Sequence, residues 1–514
     1  MNKKIGLLSA SLLGLTSIIG SGWLFASYRA AQVAGQAAIF SWIIGMLAIA
    51  LLAFCLIEVV SRYPIRGLSA VIPFLTHNKH FGFPFAIANW LGIVAVIGLE
   101  AEAVVQYVIQ LIPQWNNILF FNGQLTPSGE FLTIILVILF TLVNFWGARM
   151  MTRVNNILSI LKIIIPIIVA LALIATAFHP NRFTFNHNFI PYGFGSIFTA
   201  ILSTGIIIAF NGFQTVASFA SEVEKPEKTI GWSIVIALVM SLGIYELLQI
   251  AFIGSMPSSI AAQGWAKIKM EAPILQLVGL LGLGMFSSMI YFGSVIAPAG
   301  TGIAFVGAAT RMFTAMSRKG QMPGYFNAVH TIYNVSRRSL ILNMVLAIIF
   351  VLTFRSWSSL AQILSIFHIL SYLPIMLAIW VLRKQFPRDT TKYRLPFGKL
   401  ISLLLFIFFV CLFMQAKWPL VRDTLLIFLM FQIIYILFNV KSIKDTWLAI
   451  INSSGLFIFF LGVAIIVWGH NLIQQSYIAG NLYVPLCITW ASLGFFILYF
   501  QANTKKIPEL TPGR

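Results

Sequence analysis

Apolar runs of about 20 residues, the length that carries a helix across a hydrocarbon core of about 30 Å, recur almost from end to end of this chain. Their polar boundaries predict fourteen spans, at 7–31, 37–60, 84–112, 131–147, 155–178, 197–220, 231–254, 273–312, 340–354, 358–381, 399–416, 423–440, 448–468 and 483–501. Residues 273–312 exceed one crossing, since at 1.5 Å per residue they would extend about 60 Å. Dividing them in two would turn the following loop outward, with Arg311, Arg318, Lys319, Arg337 and Arg338. An external lead-in helix followed by one span, with Pro298 available for a kink, avoids that inversion. The ninth span is short and ends at Arg355.

Two spans carry helix-breaking residues at mid-depth. Thr16-Ser17-Ile18-Ile19-Gly20-Ser21-Gly22-Trp23 lies in the middle of the first run, where two glycines flank a serine. Such a sequence supports a tight helix-packing face. It also supports an opened turn, whose freed amides, at the positive end of the following half-helix, would face a central site. The sixth span repeats the device in Ala209-Phe210-Asn211-Gly212-Phe213-Gln214. An offset of five spans places the two units in opposite membrane orientations. Inverted repeats build a central binding site in this way, so the pairing favours broken helices over packing faces.

Of the 514 residues, 59% are hydrophobic and 9% are charged, against roughly 25% charged in soluble domains. The chain is an all-α polytopic membrane protein. Its first run has no small-residue cleavage pattern and continues into similar runs, so it is not a removable signal peptide. Cys55, Cys411 and Cys487 are isolated and suggest neither a disulfide framework nor a metal site. The net charge of +20 is distributed by topology. With the N-terminus inside, 25 Lys and Arg fall on the cytoplasmic side and 6 outside, leaving Arg29 and Lys162 within spans. This positive-inside bias excludes a nucleic-acid partner in favour of anionic lipid head groups, and places both termini in the cytoplasm.

Ionisable residues inside spans are functional candidates by default. Glu100 and Glu102 lie in the third span, two residues apart and therefore on different helix faces. Lys162, in the fifth, is too deep for a head-group anchor. Desolvation penalises its charged form, so it can lose and regain a proton where a transporter would otherwise hold a cation. Glu246 and His368 are further intramembrane candidates; for His368 a satisfied structural donor is the simpler role. Ser287 and Ser288 are expected to offer hydroxyls opposite Lys162. Glu58, at the cytoplasmic end of the second span, is expected to pair with Arg62 or Arg66 as a surface ion pair. Spans eleven to fourteen have no centrally placed acid. They read as an accessory scaffold or a homodimer contact.

Taken with their order and depth, Ile18-Ile19-Gly20-Ser21-Gly22, Phe210-Asn211-Gly212-Phe213-Gln214 and Glu222-Val223-Glu224-Lys225-Pro226-Glu227-Lys228-Thr229-Ile230 resemble amino acid permeases of the amino acid–polyamine–organocation superfamily. The resemblance covers about residues 5 to 440. It implies a leucine-transporter-like fold of two inverted five-helix repeats, over 1–180 and 181–398, with accessory spans and a tail over 399–514. It also implies a substrate site of Ser17, Ile18, Gly20, Ser21, Gly22, Trp23, Phe210, Asn211, Gly212 and Gln214. Backbone groups at Gly20, Ser21 and Gly22 would hold the α-carboxylate. Phe210 would be an aromatic lid, and the segment around Asn211 and Gly212 would receive the α-amine. Gln214 stands where many relatives have an acid. Lys162 matches the lysine that replaces sodium in proton-coupled members, with Glu100 and Glu102 as further proton-coupling candidates.

Gly20-Ser21-Gly22-Trp23-Leu24-Phe25 and the fourteen-span count are similar to the bacterial aspartate/glutamate–proton symporter branch. This places the chain in a bacterial cytoplasmic membrane, with Arg29 positioned to attract an acidic side chain. Neutral amino acids remain open as substrates, because a pocket lined by Trp23 requires only apolar walls. The expected function is amino acid import by proton symport. An amino acid/amine exchanger of the same fold, and a channel or non-transporting scaffold, are the alternatives. No nucleophile, metal-ligand or cofactor motif points to an enzyme.

Overall fold

The computed structural model describes residues 6–63, 68–146, 148–184, 189–213, 226–333, 335–387, 393–439, 443–473 and 477–502. Its principal helices, numbered here without the shortest turns, begin with α1 (Leu7–Ile18), α2 (Gly22–Ala34), α3 (Ala38–Arg62), α4 (Leu68–Thr76), α5 (Lys79–Val108), α6 (Pro127–Phe145) and α7 (Ala148–Ala177). They continue with α8 (Gly195–Ser203), α9 (Ile206–Ala209), α10 (Pro226–Ser255), α11 (Pro273–Leu280), α12 (Ser287–Arg318), α13 (Arg337–Phe354) and α14 (Trp357–Gln385). The last four are α15 (Gly398–Met414), α16 (Trp418–Asn439), α17 (Ile443–Ile473) and α18 (Tyr477–Phe500).

Among the described residues, eleven helical stretches are long and apolar enough to cross a membrane. One of them, Gly22–Arg62, spans two helices, because Gly35 (φ +60°) separates α2 from α3. Leu7–Ile18 and Gly398–Met414 are shorter apolar helices. Polar caps mark several starts: Asn78 accepts from the Phe81 amide, Thr126 from Gly129, Ser336 from Ser339 and Ser356 from Ser359. The stretch 273–312 divides as its length requires, into the separate lead-in helix α11 and the long α12, with Pro298 inside it.

Burial ranks the helices by position. The apolar windows of Lys79–Leu111 and Trp357–Gln385 are 94% buried, against 28% for Trp418–Leu437 and 33% for Leu482–Phe500. α5 therefore sits at the centre, packed against α12 and α14, while α1 packs on α10 and α12 on α7. The outer helices expose apolar rows such as Leu426, Ile433 and Leu437 on α16, as contact with lipid tails requires. An external hairpin pairs Phe120–Phe121 with Gln124–Leu125 through Asn122 and Gly123, both at positive φ. Its Leu125 amide donates to the Arg355 carbonyl, and Arg355 pairs with Glu130, which fixes the end of α13.

The cytoplasmic ion pair differs from expectation. Glu58 pairs with Arg383 at the end of α14, at 2.8 Å through both Nε and Nη2, instead of with Arg62. It also accepts from the Leu395 amide at 2.8 Å, and Arg383 Nη2 donates to the Leu395 carbonyl at 2.5 Å. Arg62 lies over the Phe386 ring, while Arg66 lies outside the described residues. The pair is buried because the chain beyond α14 folds back over it, a contact far away in sequence.

Breaking a buried pair on one side strands the other charge, at a cost of about 3–5 kcal/mol. Glu58→Ala is therefore expected to lower the thermal midpoint in detergent well beyond Asp423→Ala. Asp423 pairs with Arg422 at a half-exposed site, where such a pair is worth about 1 kcal/mol or less. Equal midpoints for the two variants would contradict a structural role for the Glu58 pair.

Candidate functional site

Between α1 and α2 the helix opens at Ile19, Gly20 and Ser21, and Ile19 has extended backbone angles (φ −80°, ψ 100°). The backbone groups it frees cannot be left unpaired in a dry interior, where each costs several kcal/mol. Five other helices supply partners. Lys162 of α7 donates from Nζ to the Thr16 carbonyl at 3.5 Å and to Thr301 Oγ1 of α12 at 2.9 Å. Thr301 donates to the Ile19 carbonyl at 3.3 Å, and the Tyr245 hydroxyl of α10 to the Ile18 carbonyl at 3.4 Å. Glu100 Oε2 of α5 accepts from the Ser21 amide at 2.9 Å, and Trp357 Nε1 of α14 donates to Ser21 Oγ at 2.9 Å. The amide at the positive end of α2 thus holds a carboxylate, and an ammonium sits among the oxygens of the break. Glu100 interacts electrostatically with Lys162. A Cβ at Gly20 would overlap the Glu100 carboxylate, so only glycine lets that acid approach.

The second break faces the first. α9 ends at Ala209, and Gly212 has φ +106°. A Cβ there would stand 2.5 Å from the Ser17 carbonyl. Asn211 Nδ2 donates to His368 Nε2 of α14 at 2.8 Å, while His368 Nδ1 bonds the Leu364 carbonyl at 2.9 Å. Nδ1 must then carry the ring proton, so the histidine orients Asn211. Phe210 is buried edge-on to Trp42 (5.8 Å) and to Tyr245 (5.7 Å), which stack on each other at 4.8 Å.

The expected site residues fall into three groups. Ile18, Gly20, Ser21 and Glu100 meet at the first break with Lys162. Ser17 meets Gly212 at the second, beside Phe210 and Asn211, and Gly22 packs against Ala209. Trp23 is buried toward Gly293 of α12. Glu102 faces the Trp357 backbone and Arg29 rather than Lys162. Gln214 and 221–225 lie outside the described residues.

Ser287 and Ser288 stand at the start of α12, fourteen and thirteen residues before Thr301, about 20 Å along a helix. Thr301, not either serine, supplies the hydroxyl beside Lys162. The two carboxylate oxygens of Glu246 are buried without a hydrogen-bond partner, and none of the bonds to the break comes from it. Sequence reasoning missed Thr301, Tyr245 and Trp357. Their side chains are ordinary in membrane helices, and only tertiary contact brings them to the break.

Comparison with known proteins accords with this geometry. A family model for amino acid permeases matches residues 5–439. The chain belongs to the amino acid permease family. It is a secondary transporter of the amino acid–polyamine–organocation superfamily, a multi-pass protein of the bacterial inner membrane and not an enzyme. It is 35% identical over 445 residues to a glutamate/serine transporter of Bacillus subtilis, covering 86% of this chain and 83% of that one. It is 29% identical over 522 residues to an aspartate-proton symporter of Bacillus subtilis, covering 99% and 97%. The solved structure of a manganese transporter from Eremococcus coleocola shares the fold, with TM-score 0.52 at 15% identity over 92% of this permease and 94% of that chain.

Gly212→Ala in this permease must strain a positive φ, at about 1–3 kcal/mol, and also displace the Ser17 carbonyl. We expect at least a tenfold loss of uptake in proteoliposomes. Gly279→Ala, on α11 with open space around it, should leave uptake unchanged. Comparable loss in both variants would show that the close approach of the two breaks is not what Gly212 provides.

Proposed function

We propose that this permease imports an acidic amino acid by proton symport, with the substrate α-carboxylate exchanging places with the carboxylate of Glu100 at the Ser21 amide. The observation that carries the proposal is the 2.9 Å bond between Ser21 N–H and Glu100. A carboxylate already occupies the seat at the start of α2 that the family resemblance assigns to substrate. The permease relatives named for glutamate and serine and for aspartate and protons support the substrate class.

An incoming α-carboxylate bonds the Ser21 amide only if Glu100 leaves it. An acid moved off its partner in a buried site is costly as an anion, so Glu100 takes up a proton as it yields. The α-amine docks on the carbonyls around Phe210, Asn211 and Gly212, under the Phe210 lid. Lys162 stays on Thr16 and Thr301, filling with its ammonium the position a sodium ion would need. The two breaks belong to inverted halves, 1–180 and 181–398, that rock against each other around the site. Once the site faces inward, Glu100 releases its proton and regains Ser21, expelling the substrate carboxylate. One proton therefore moves with each amino acid. Residues 399–514 form the surrounding accessory helices.

Uptake into proteoliposomes should rise with an inward proton gradient and ignore an imposed sodium gradient. Glu100→Gln should abolish the pH-gradient stimulation, by at least tenfold in initial rate, while retaining exchange of internal for external substrate. Lys162→Ala should lose gradient-driven uptake altogether. The mechanism would be falsified by unchanged gradient-driven uptake in both variants. A competition panel of radiolabelled amino acids tests the acidic class separately.

A further inference from the structure

Arg29 lies in α2, eight residues beyond Ser21, or about 12 Å further along the helix axis. The two carboxyl carbons of an extended glutamate are only about 5 Å apart, being four bonds of about 1.5 Å. A molecule whose α-carboxylate rests on Ser21 therefore falls short of the backbone at Arg29. The guanidinium also turns away from the break, with Nη1 donating outward to Gln32 Oε1 at 3.2 Å. Its Nε is buried without a hydrogen-bond partner.

Arg29 instead lines a separate cavity of about 350 Å³ between α2, α8, α14 and the turn from α15 to α16. This is large enough for one small ligand. Among the described residues, Lys417 and Arg29 are the charged ones that line it, and no acid does. Gln32, Thr204, Gln362 and Gln415 add neutral donors. Only six cations lie on the external side of the chain, yet one of them, Lys417, meets the intramembrane Arg29 here.

The cavity floor leads to the break. Thr204 and Ser358 line it, and the next residues inward, Gly205 and Trp357, touch each other. The Trp357 ring stacks on Phe25 at 4.8 Å, and its Nε1 holds Ser21 Oγ. Trp357 thus joins the residue next to the cavity lining, Gly205, to the first break at Ser21.

We propose that this outer cavity is a second substrate site, in which Arg29 and Lys417 capture the side-chain carboxylate of an acidic amino acid before Trp357 yields to the central site. The proposal rests on the acidic-substrate reading and deepens it. The central break reads the groups common to all amino acids, whereas the outer cavity selects for a second negative charge. Glu102 interacts electrostatically with Arg29 but does not line the cavity, so the two cations facing the cavity attract anions there, and the attraction weakens with salt.

The test uses the full-length protein carrying Gln415→Cys, with Cys55, Cys411 and Cys487 replaced by serine. The modification rate of the new thiol is followed with a neutral maleimide at fixed ionic strength. Glutamate and succinate should each slow modification at least threefold, and serine should not. Adding Arg29→Gln and Lys417→Gln should remove this protection, and Arg29→Lys should retain it. In proteoliposomes, Arg29→Gln should raise the half-saturating glutamate concentration about tenfold with maximal rate unchanged, and leave serine uptake unmoved.

Absence of protection by succinate, or protection that survives loss of both cations, overturns the site. Equal effects of Arg29→Gln on glutamate and serine overturn its selectivity. Cation-dependent protection in a protein that takes up no acidic amino acid supports the anion site and overturns the substrate class instead.

Discussion

Opening a helix in the dry centre of a bundle frees polar backbone groups that water cannot reach, and the core of this permease is arranged to satisfy them. Four carbonyl or amide groups between Thr16 and Ser21 take partners from α5, α7, α10 and α12, and Trp357 of α14 holds the Ser21 side chain. Each partner lies on a different helix, so a change in any of them is felt at the break. This explains why α5 and α14 are nearly fully buried while the outer helices are not. They carry the side chains that complete the first helix, and must be enclosed to reach it.

The same requirement links stability to transport. A site that binds a carboxylate through free amides would be unstable when empty, and Glu100 resolves this by filling the seat itself. In the proposed mechanism substrate competes with this internal acid, which takes up a proton when displaced. Lys162 meets the complementary need, placing one positive charge among the oxygens of the break. The proposed binding and proton coupling would both use this one arrangement of groups.

Closures on either side of the break differ in chemistry. Toward the cytoplasm, Glu58 and Arg383 tie α3 to α14 and to the chain beyond it by a buried bidentate pair. On the other side of the break, the Trp357 indole packs against Phe25 and Gly205. An aromatic ring can swing aside without stranding a charge, whereas a buried ion pair cannot part so cheaply. The aromatic contact is thus the softer of the two, and Ser358, next to Trp357, lines the cationic cavity.

Much of this was determined by sequence alone. Apolar run lengths and the sorting of charge across the membrane specify a polytopic helical protein, because crossing hydrocarbon demands both. The glycines near Ser21 and Asn211 locate the breaks, Gly20 by leaving room for the Glu100 carboxylate and Gly212 by its positive φ; Lys162 and Glu100 stand out because charge is rare at that depth. Tertiary structure alone decided which groups meet. Spacing along a helix cannot show that Thr301 rather than Ser287 reaches Lys162, that Glu58 bonds Arg383 across more than three hundred residues, or that Arg29 and Lys417 line one cavity. Those contacts depend on how the helices rotate and pack against one another, and no single segment encodes its own rotation.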